Sequence, residues 1–291
     1  MIINQKSMRS DMIRIDQGKC TACGLCVKIC HEYCLHLEDD QLVLDPVYCS
    51  TCTQCVAVCP EQAITWGHHP PEKFDRSLYP TPEQVAELFR QRRTNRNYTR
   101  KPVERQLLEE IAGYAVYAPT HNFDLRVRII DDKALIGLVD TLIYRSCKRM
   151  NFWIYRTGIP YSLAKMNRSW EFEMLKAKPK IEHAVERKSG FKSTPTAMIL
   201  VTGSKSIPLS KESAQYALYN MDLYAQSKGL ASRNLVGNQG LLNRSREFRK
   251  AAGIGKHERI YGTMTLGHPA VKFRNKVTGK HLPVHWNGSR G

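Results

Sequence analysis

The stretch "CSTCTQCVAVCP", residues 49–60, places four thiols within eleven positions and closes on a proline. An earlier stretch, "CTACGLCVKIC" at residues 20–30, has the same spacing, so Cys20-x2-Cys23-x2-Cys26-x3-Cys30 returns 29 residues later as Cys49-x2-Cys52-x2-Cys55-x3-Cys59. Three thiols in so short a loop can surround one corner of a metal–sulfide cubane. The fourth lies too far along its helix to reach the same cubane and must serve a second one. On that logic Cys20, Cys23, Cys26 and Cys59 would hold one 4Fe-4S cluster, and Cys49, Cys52, Cys55 and Cys30 the other. Structural zinc usually offers two ligand pairs across a longer spacer, and disulfides need an oxidising compartment that nothing else in the sequence suggests.

Nine of the ten cysteines fall between Cys20 and Cys59. Cys34 and Cys147 stand outside both runs and read as plain buried or surface thiols. With 291 residues, 42% hydrophobic and 24% charged, the chain has the composition of a soluble globular protein large enough for two unequal domains. The start "MIINQKSMRSDMIRID" has no apolar core of about 7–15 residues and no small-residue cleavage site, so a cytoplasmic location is expected. No run approaches membrane-spanning length.

The net charge of +17 is unevenly spread. Residues 1–66 carry five Lys or Arg against eight acids, a net of −3, which leaves +20 for the remainder. That shift marks a boundary and lets the two parts attract each other. The stretch "WGHHPPEKFDRSLYPTPEQ" follows, and Pro70, Pro71 and Pro80 make residues 67–80 a linker, with His68 and His69 on a loop surface. The domains are therefore 1–66, then 81–291 after the linker. Thr81-Pro82-Glu83-Gln84 matches a capping box that opens a helix with Val85, Leu88 and Phe89 on one face.

That helix runs into "RRTNRNYTRKPV". Arg92, Arg93, Thr94 and Arg96 offer three guanidinium forks and a hydroxyl within five residues, a fitting cradle for a phosphate. An amphipathic helix through Leu107, Leu108, Ile111 and Ala115 follows, then "APTHN" and the strand-like "RVRII". "STPTAMILVTG" has the pattern of a buried strand. "SKESAQYALYNMDLYAQSKGL" has that of a helix with Ala214, Ala217, Leu218, Met221, Tyr224 and Ala225 inward and Gly229 as its stop.

Residues 15–66 resemble a bacterial-type ferredoxin with two 4Fe-4S clusters, although His31 replaces the proline that commonly follows the fourth cysteine. The remainder resembles the FMN-dependent nitroreductase family, in "RRTNRNYTRKPV", "APTHN", "NLVGNQG" and the closing "RIYGTMTLGHPAVKFRNKVTGKHLPVHW". Together these resemble the ferredoxin-nitroreductases. The resemblance implies an α+β chain: a small ferredoxin-like 2[4Fe-4S] domain, then a nitroreductase-type domain with a central, mainly antiparallel sheet flanked by helices.

It further implies that Arg92, Arg93, Thr94 and Arg96 hold the FMN phosphate and ribityl end, and that Thr120, His121, Asn122 and Gly237 approach the flavin. Gly279 stands where the family usually has an arginine toward the phosphate, which leaves Lys280 for that role, with Arg274 as its substitute. The expected activity is an oxidoreductase passing low-potential electrons through the clusters to FMN and on to a small aromatic acceptor, nitroaromatic or quinone-like. A homodimer is expected, with ferredoxin, a reductase or NAD(P)H as electron donor. Two alternatives stay open: a flavin-dependent reductase or dehydrogenase of an unidentified metabolite, and an electron-transfer or regulatory iron-sulfur protein with a degenerate flavin site.

No G-x-G-x-x-G follows a strand, which excludes a Rossmann site. Residues 144–193, with twelve Lys or Arg against four acids and many aromatics, read as a helical lid over the flavin or as packing helices. Nucleic acid is not expected as a partner, because the front part, acidic already, would become more so with clusters bound.

Overall fold

The computed structural model describes residues 12–120, 124–158, 162 and 168–286. The front part contains β1 (Ile13–Ile15), α1 (Leu25–Ile29), β2 (Leu35–Glu38), β3 (Gln41–Leu44), α2 (Gln54–Val58) and β4 (Ile64–Trp66). β1 pairs antiparallel with β4, and β2 with β3. Asp39 and Asp40, both with positive φ (46° and 61°), make the tight turn of the β2–β3 hairpin, where the twist of the strands favours left-handed residues.

The duplication in sequence extends to the backbone. Ala22 and Gly24 in the first loop have φ of 51° and 73°, and Thr51 and Thr53, at the same places in the second, have 57° and 62°. Gly24 and Thr53 are the N-caps of α1 and α2, and Cys30 and Cys59 their C-caps. Left-handed residues alternating with extended or helical ones turn successive N–H groups to one side, the nest that surrounds anions and iron–sulfur sites. Ile13, Leu35, Leu42 and Ile64 form the buried core between the halves, with several of the cysteines packed around them.

The larger part is built on a four-stranded antiparallel sheet in the order β5 (Leu125–Ile130), β6 (Ala197–Ser204), β8 (Glu258–Gly267), β7 (Ala231–Asn234). β6 alternates between two cores, as the period of two in a strand requires. Ile199 and Val201 meet α4 (Arg105–Gly113) and α7 (Ser210–Ser227) through Leu108, Ile111, Leu218 and Met221. Met198 and Leu200 meet α5 (Lys133–Met150), α8 (Gln239–Arg244) and α9 (Arg246–Ala251) through Ile136, Val139, Leu242 and Phe248. The result is three layers with the sheet in the middle. Among the described residues no helix is long and apolar enough to cross a membrane.

Local signals hold well. α3 (Pro82–Gln91) opens with both halves of the Thr81–Gln84 capping box, at 2.9 and 3.3 Å. In α7 the expected inward residues Ala214, Ala217, Leu218, Met221 and Ala225 are buried, and Tyr224 is half-buried. Gly229 stops the helix with φ of 77°, and the Leu230 N–H donates back to the Ala225 carbonyl at 3.0 Å. Of the residues on the apolar face of α3, Phe89 is 49% exposed. α3 lies on the surface and buries none of its residues fully, so its apolar stripe covers little.

Among the described residues of 144–193 most are helical, and 187–193 form turns and bends. α5 continues into a π-helical turn at Asn151–Arg156, and α6 (Arg168–Glu186) packs back on α5. The Tyr155 hydroxyl ties the turn to α6 by donating to the Met174 carbonyl at 2.8 Å. After α6 the chain passes so close to α5 that a Cβ on Gly190 would lie 2.6 Å from the Asp140 carbonyl oxygen. Asp140 Oδ1 fixes that approach by accepting from the Phe191 N–H at 2.6 Å and from Ser189 Oγ at 2.9 Å. Gly190→Ala should therefore destabilise by about 1–3 kcal/mol, read as a lower denaturant midpoint at unchanged slope. An unmoved midpoint would mean that α5 yields freely.

At the start of β8 the buried Glu258 accepts from Arg126 Nη1 at 2.6 Å, Arg128 Nη2 at 2.9 Å and the Gly255 N–H at 2.7 Å. Burial pushes its carboxyl up, but the Arg126 and Gly255 hydrogen bonds and the two positive charges together hold it below the usual range. A folded value below the unfolded one contributes stability that is present above the unfolded carboxyl pKa and lost as pH falls through the folded value. Glu258→Gln should cost about 1.5–3 kcal/mol at neutral pH. The gap from wild type should narrow on acidification, and a gap independent of pH would refute the assignment.

Candidate functional site

The eight cysteines of the two runs are sorted into two cavities. Cys20, Cys23 and Cys26 line one together with Cys59, and Cys49, Cys52 and Cys55 line the other together with Cys30. Each thus takes three thiols from one run and the fourth from the other. The walls are otherwise largely apolar, with Leu25, Leu37, Leu42 and Ile64 around the first and Ile13, Leu35 and Leu44 around the second.

Backbone donors already point at the sulfurs. The Ala63 N–H donates to Cys59 Sγ at 3.3 Å and the Thr51 N–H to Cys49 Sγ at 3.4 Å. Burial pushes the Cys26 thiol up, and pushes that of Cys55 up to about 12 with help from the neighbouring Cys52 and Cys49. Among the described residues no three His, Cys, Asp or Glu side chains converge on a single ion. Cys34 Sγ, which the sequence left outside both runs, lies 3.4 Å from Cys30 Sγ on the wall of the second cavity. His68 and His69 sit by the β1–β4 ribbon, His68 Nδ1 3.3 Å from Arg14 Nη1.

A second site is a wide cleft between the end of α3, the end of α7 and the chain after β8. Arg90, Arg92 and Arg93 line it from one side, and Lys272, Arg274 and Lys276 from the other. Glu87 is the acid on its wall. The C-terminal end of a helix carries the negative end of its dipole, so an anion can be held here only by these cations.

The arrangement rests on buried Asp222. Its carboxylate accepts from Ser232 Oγ in a short bond and from Gln226 Nε2 at 3.0 Å, and lies 3.6 Å from Arg92 Nη1. Gln226 Oε1 in turn accepts the Arg93 N–H at 3.0 Å. The Arg93 guanidinium caps α3 through the carbonyls of Arg90 and Arg92, both at 2.8 Å. Buried Asn95 donates from its backbone to the Ser232 carbonyl at 3.0 Å and from Nδ2 to the Val271 carbonyl at 2.9 Å. It thereby clips the C-terminal arm to the loop.

Arg92, Arg93 and Arg274 are thus brought together, whereas Thr94 and Arg96 are exposed beside the cleft and are not among its lining residues. Arg96 instead neighbours Arg233 of β7, whose guanidinium is pushed below its usual range by burial and then by the like charge of Arg96. Among the described residues neither has a carboxylate partner, which makes the pair a second place for negative charge. Lys280 is exposed on the arm and not among the lining residues, and the arm meets the cleft through Lys272, Arg274 and Lys276 instead. Gly237 lies exposed in the short turn Val236–Asn238. His121 and Asn122 lie outside the described residues.

Among the described residues Thr120 Oγ1 is buried without a hydrogen-bond partner, and so is Gln239 Nε2, two residues beyond Gly237. Both loops assigned to the flavin therefore keep an orphaned polar atom, which suits a polar ring edge as the missing partner. Asp222, Asn95, Gln226 and Arg233 escaped the sequence reading, because only folding brings them beside the arginine run.

Residues 89–268 match the family described as Nitroreductase family. Among solved structures, oxidized iodotyrosine deiodinase bound to FMN and 3-iodo-L-tyrosine is 21% identical, with a TM-score of 0.51 over 70% of this chain and 99% of that one. A nitroreductase with bound FMN from Desulfitobacterium hafniense DCB-2 is 16% identical, with a TM-score of 0.50 over 69% and 98%. Likeness at this level speaks for the fold. No curated protein matches the chain in sequence.

Asn95→Ala should free the arm from the loop and cost about 1–3 kcal/mol, since it strands the Val271 carbonyl and the Asn97 N–H. Limited proteolysis should then cut beyond Val271 faster than in wild type, and equal rates would show that the arm is held elsewhere.

Proposed function

The chain belongs to the nitroreductase family, and from that premise we propose that it is an FMN- and iron–sulfur-dependent oxidoreductase that reduces a nitroaromatic or quinone-like acceptor. The observation that carries the iron–sulfur half is the exchange of one thiol between the two runs in lining the cavities. FMN when bound supplies hydride and electron chemistry at its ring, and 4Fe-4S clusters supply single electrons.

The residues fit both groups. Cys20, Cys23, Cys26 and Cys59 would hold one cluster and Cys49, Cys52, Cys55 and Cys30 the other, with the Ala63 and Thr51 N–H groups donating to ligand sulfurs. Hydrogen bonds of that kind raise the potential of a cluster by stabilising its reduced, more negative state. The walls around the thiols are largely apolar, and Cys26 is buried among them.

On the flavin side, Arg92, Lys272, Arg274 and Lys276 present positive charge to a phosphate while Arg93 neutralises the end of α3. Asp222 keeps Arg92 in place without closing it off, because one Nη1 contact leaves the rest of the fork free. Arg96 and Arg233 put a pair of uncompensated charges where electron density on a bound ring would be favoured. Kinship with the family supports a homodimer, and the helices of residues 144–193 would border the acceptor.

Anaerobically purified protein should contain about eight irons, about eight sulfides and about one FMN per chain. It should oxidise on addition of a nitroaromatic or quinone after chemical reduction. Zinc without sulfide, or protein without flavin, would overturn the respective half. Arg274→Ala is the cleaner probe of the phosphate site, because Arg274 is exposed whereas removing Arg92 strands buried Asp222. It should weaken FMN binding about tenfold or more without loss of stability.

A further inference from the structure

The two halves of the front part superimpose in sequence at an offset of 29 residues, and that offset sets Cys34 opposite Ala63. Both side chains are buried, 2% and 1% exposed, and both line a cavity. Both follow a left-handed residue, Tyr33 with φ of 54° and Gln62 with φ of 54°. Ala63 establishes that packing at this position needs only a methyl group. The sulfur of Cys34 goes beyond packing, and it points at Cys30 Sγ across 3.4 Å. Its backbone is held rigidly, the Cys34 carbonyl accepting the Asp45 N–H at 2.7 Å.

We infer that Cys34 is a fifth thiol of the second cavity, donating S–H to Cys30 Sγ and replacing it as an iron ligand when Cys30 is lost. The inference rests on the iron–sulfur reading above. It makes the two sites unequal, since the first cavity has a methyl group where the second has a spare ligand. Replacement is redox-neutral: Cys34 gives up its proton to water as its sulfur bonds to iron, and no electron changes hands. While Cys30 is present, the Cys34 S–H adds one more donor to a ligand sulfur, which favours the reduced state of that cluster.

Iron, acid-labile sulfide and low-temperature paramagnetic spectra would be measured on the full chain, reconstituted anaerobically, for wild type and the variants Cys26→Ala, Cys30→Ala, Cys34→Ala and Cys30→Ala/Cys34→Ala. Wild type, Cys34→Ala and Cys30→Ala should each retain about eight irons, while Cys26→Ala and the double variant fall to about four. Equal iron in Cys30→Ala and the double variant, both at the single-cluster level, overturns the inference. Should Cys30→Ala fail to fold, Cys34→Ala, which removes no primary ligand, decides by potentiometry. A shift of one reduction step to more negative potential supports the proposed S–H donor, and two unmoved steps overturn it. A wild-type chain without iron and sulfide would overturn the cluster reading itself, a result distinct from either of these.

Discussion

The fourth cysteine of each run stands at the C-cap of a five-residue helix, and that placement governs the front of the molecule. Four residues of helix carry Cys30 about 6 Å along the axis from Cys26, away from the cavity that its own run begins and toward the other. The same holds for Cys59. Neither four-thiol set is complete in one half of the duplication, so the halves must pack together for either cavity to exist. The β1–β4 pairing joins the two ends of this region, and Ile13, Leu35, Leu42 and Ile64 fill the seam. Local sequence symmetry is thereby converted into mutual dependence.

The larger part uses a different kind of anchor. Its cleft draws residues from the end of α3, the end of α7 and the arm beyond β8, segments far apart in sequence. Asp222 joins them from beneath, holding Gln226, Ser232 and Arg92, and Gln226 passes the constraint to the backbone of Arg93. A buried carboxylate is costly unless charge and hydrogen bonds satisfy it. Here that requirement does structural service, because satisfying Asp222 fixes the exit of α3 and the start of the loop that carries Asn95. The arm is then positioned by Asn95 and by the pairing of Tyr98 with Pro269.

Much of this was legible from residue order alone, and the exceptions have physical causes. Cysteine spacing pointed to the sharing of thiols between the cavities because helix geometry over so few residues leaves little freedom. The capping box at Thr81 and the inward face of α7 followed from short-range periodicity in the same way. The exposure of Phe89 was not legible, because periodicity reports which residues share a helix face and not whether anything covers that face. The arginine run was read as one cradle, yet its members divide: Arg92 and Arg93 line the cleft, while Arg96 lies outside it, within electrostatic reach of Arg233 on the edge strand. Nothing in the order of residues brings position 96 beside position 233, since the β7 edge and the Asn95–Ser232 hydrogen bond are tertiary events. Lys280 was the residue the family pattern left and Arg274 its substitute, and the path of the arm puts Arg274 at the cleft. Cys34 was set aside because it breaks the spacing, although comparison with Ala63 at the repeat offset would have raised the question.

The strained loops of the front part bear on why its two halves carry thiols at all. Ala22, Thr51 and Thr53 hold left-handed conformations that cost an L-residue on the order of 1–2 kcal/mol each. The apolar core beneath them is small, and a region of this size rarely stabilises itself by hydrophobic burial alone. Strain of this sort persists only where other interactions over-determine it. A left-handed residue that aims its neighbours' N–H groups at sulfur contributes nothing to packing, but it does favour negative charge in the space the thiols enclose. On the proposed reading, ligation and folding of this region are therefore one process. The bonds that four thiolates make in each cavity offset the strain of the nests, and the nests in turn stabilise the charge those bonds bring in.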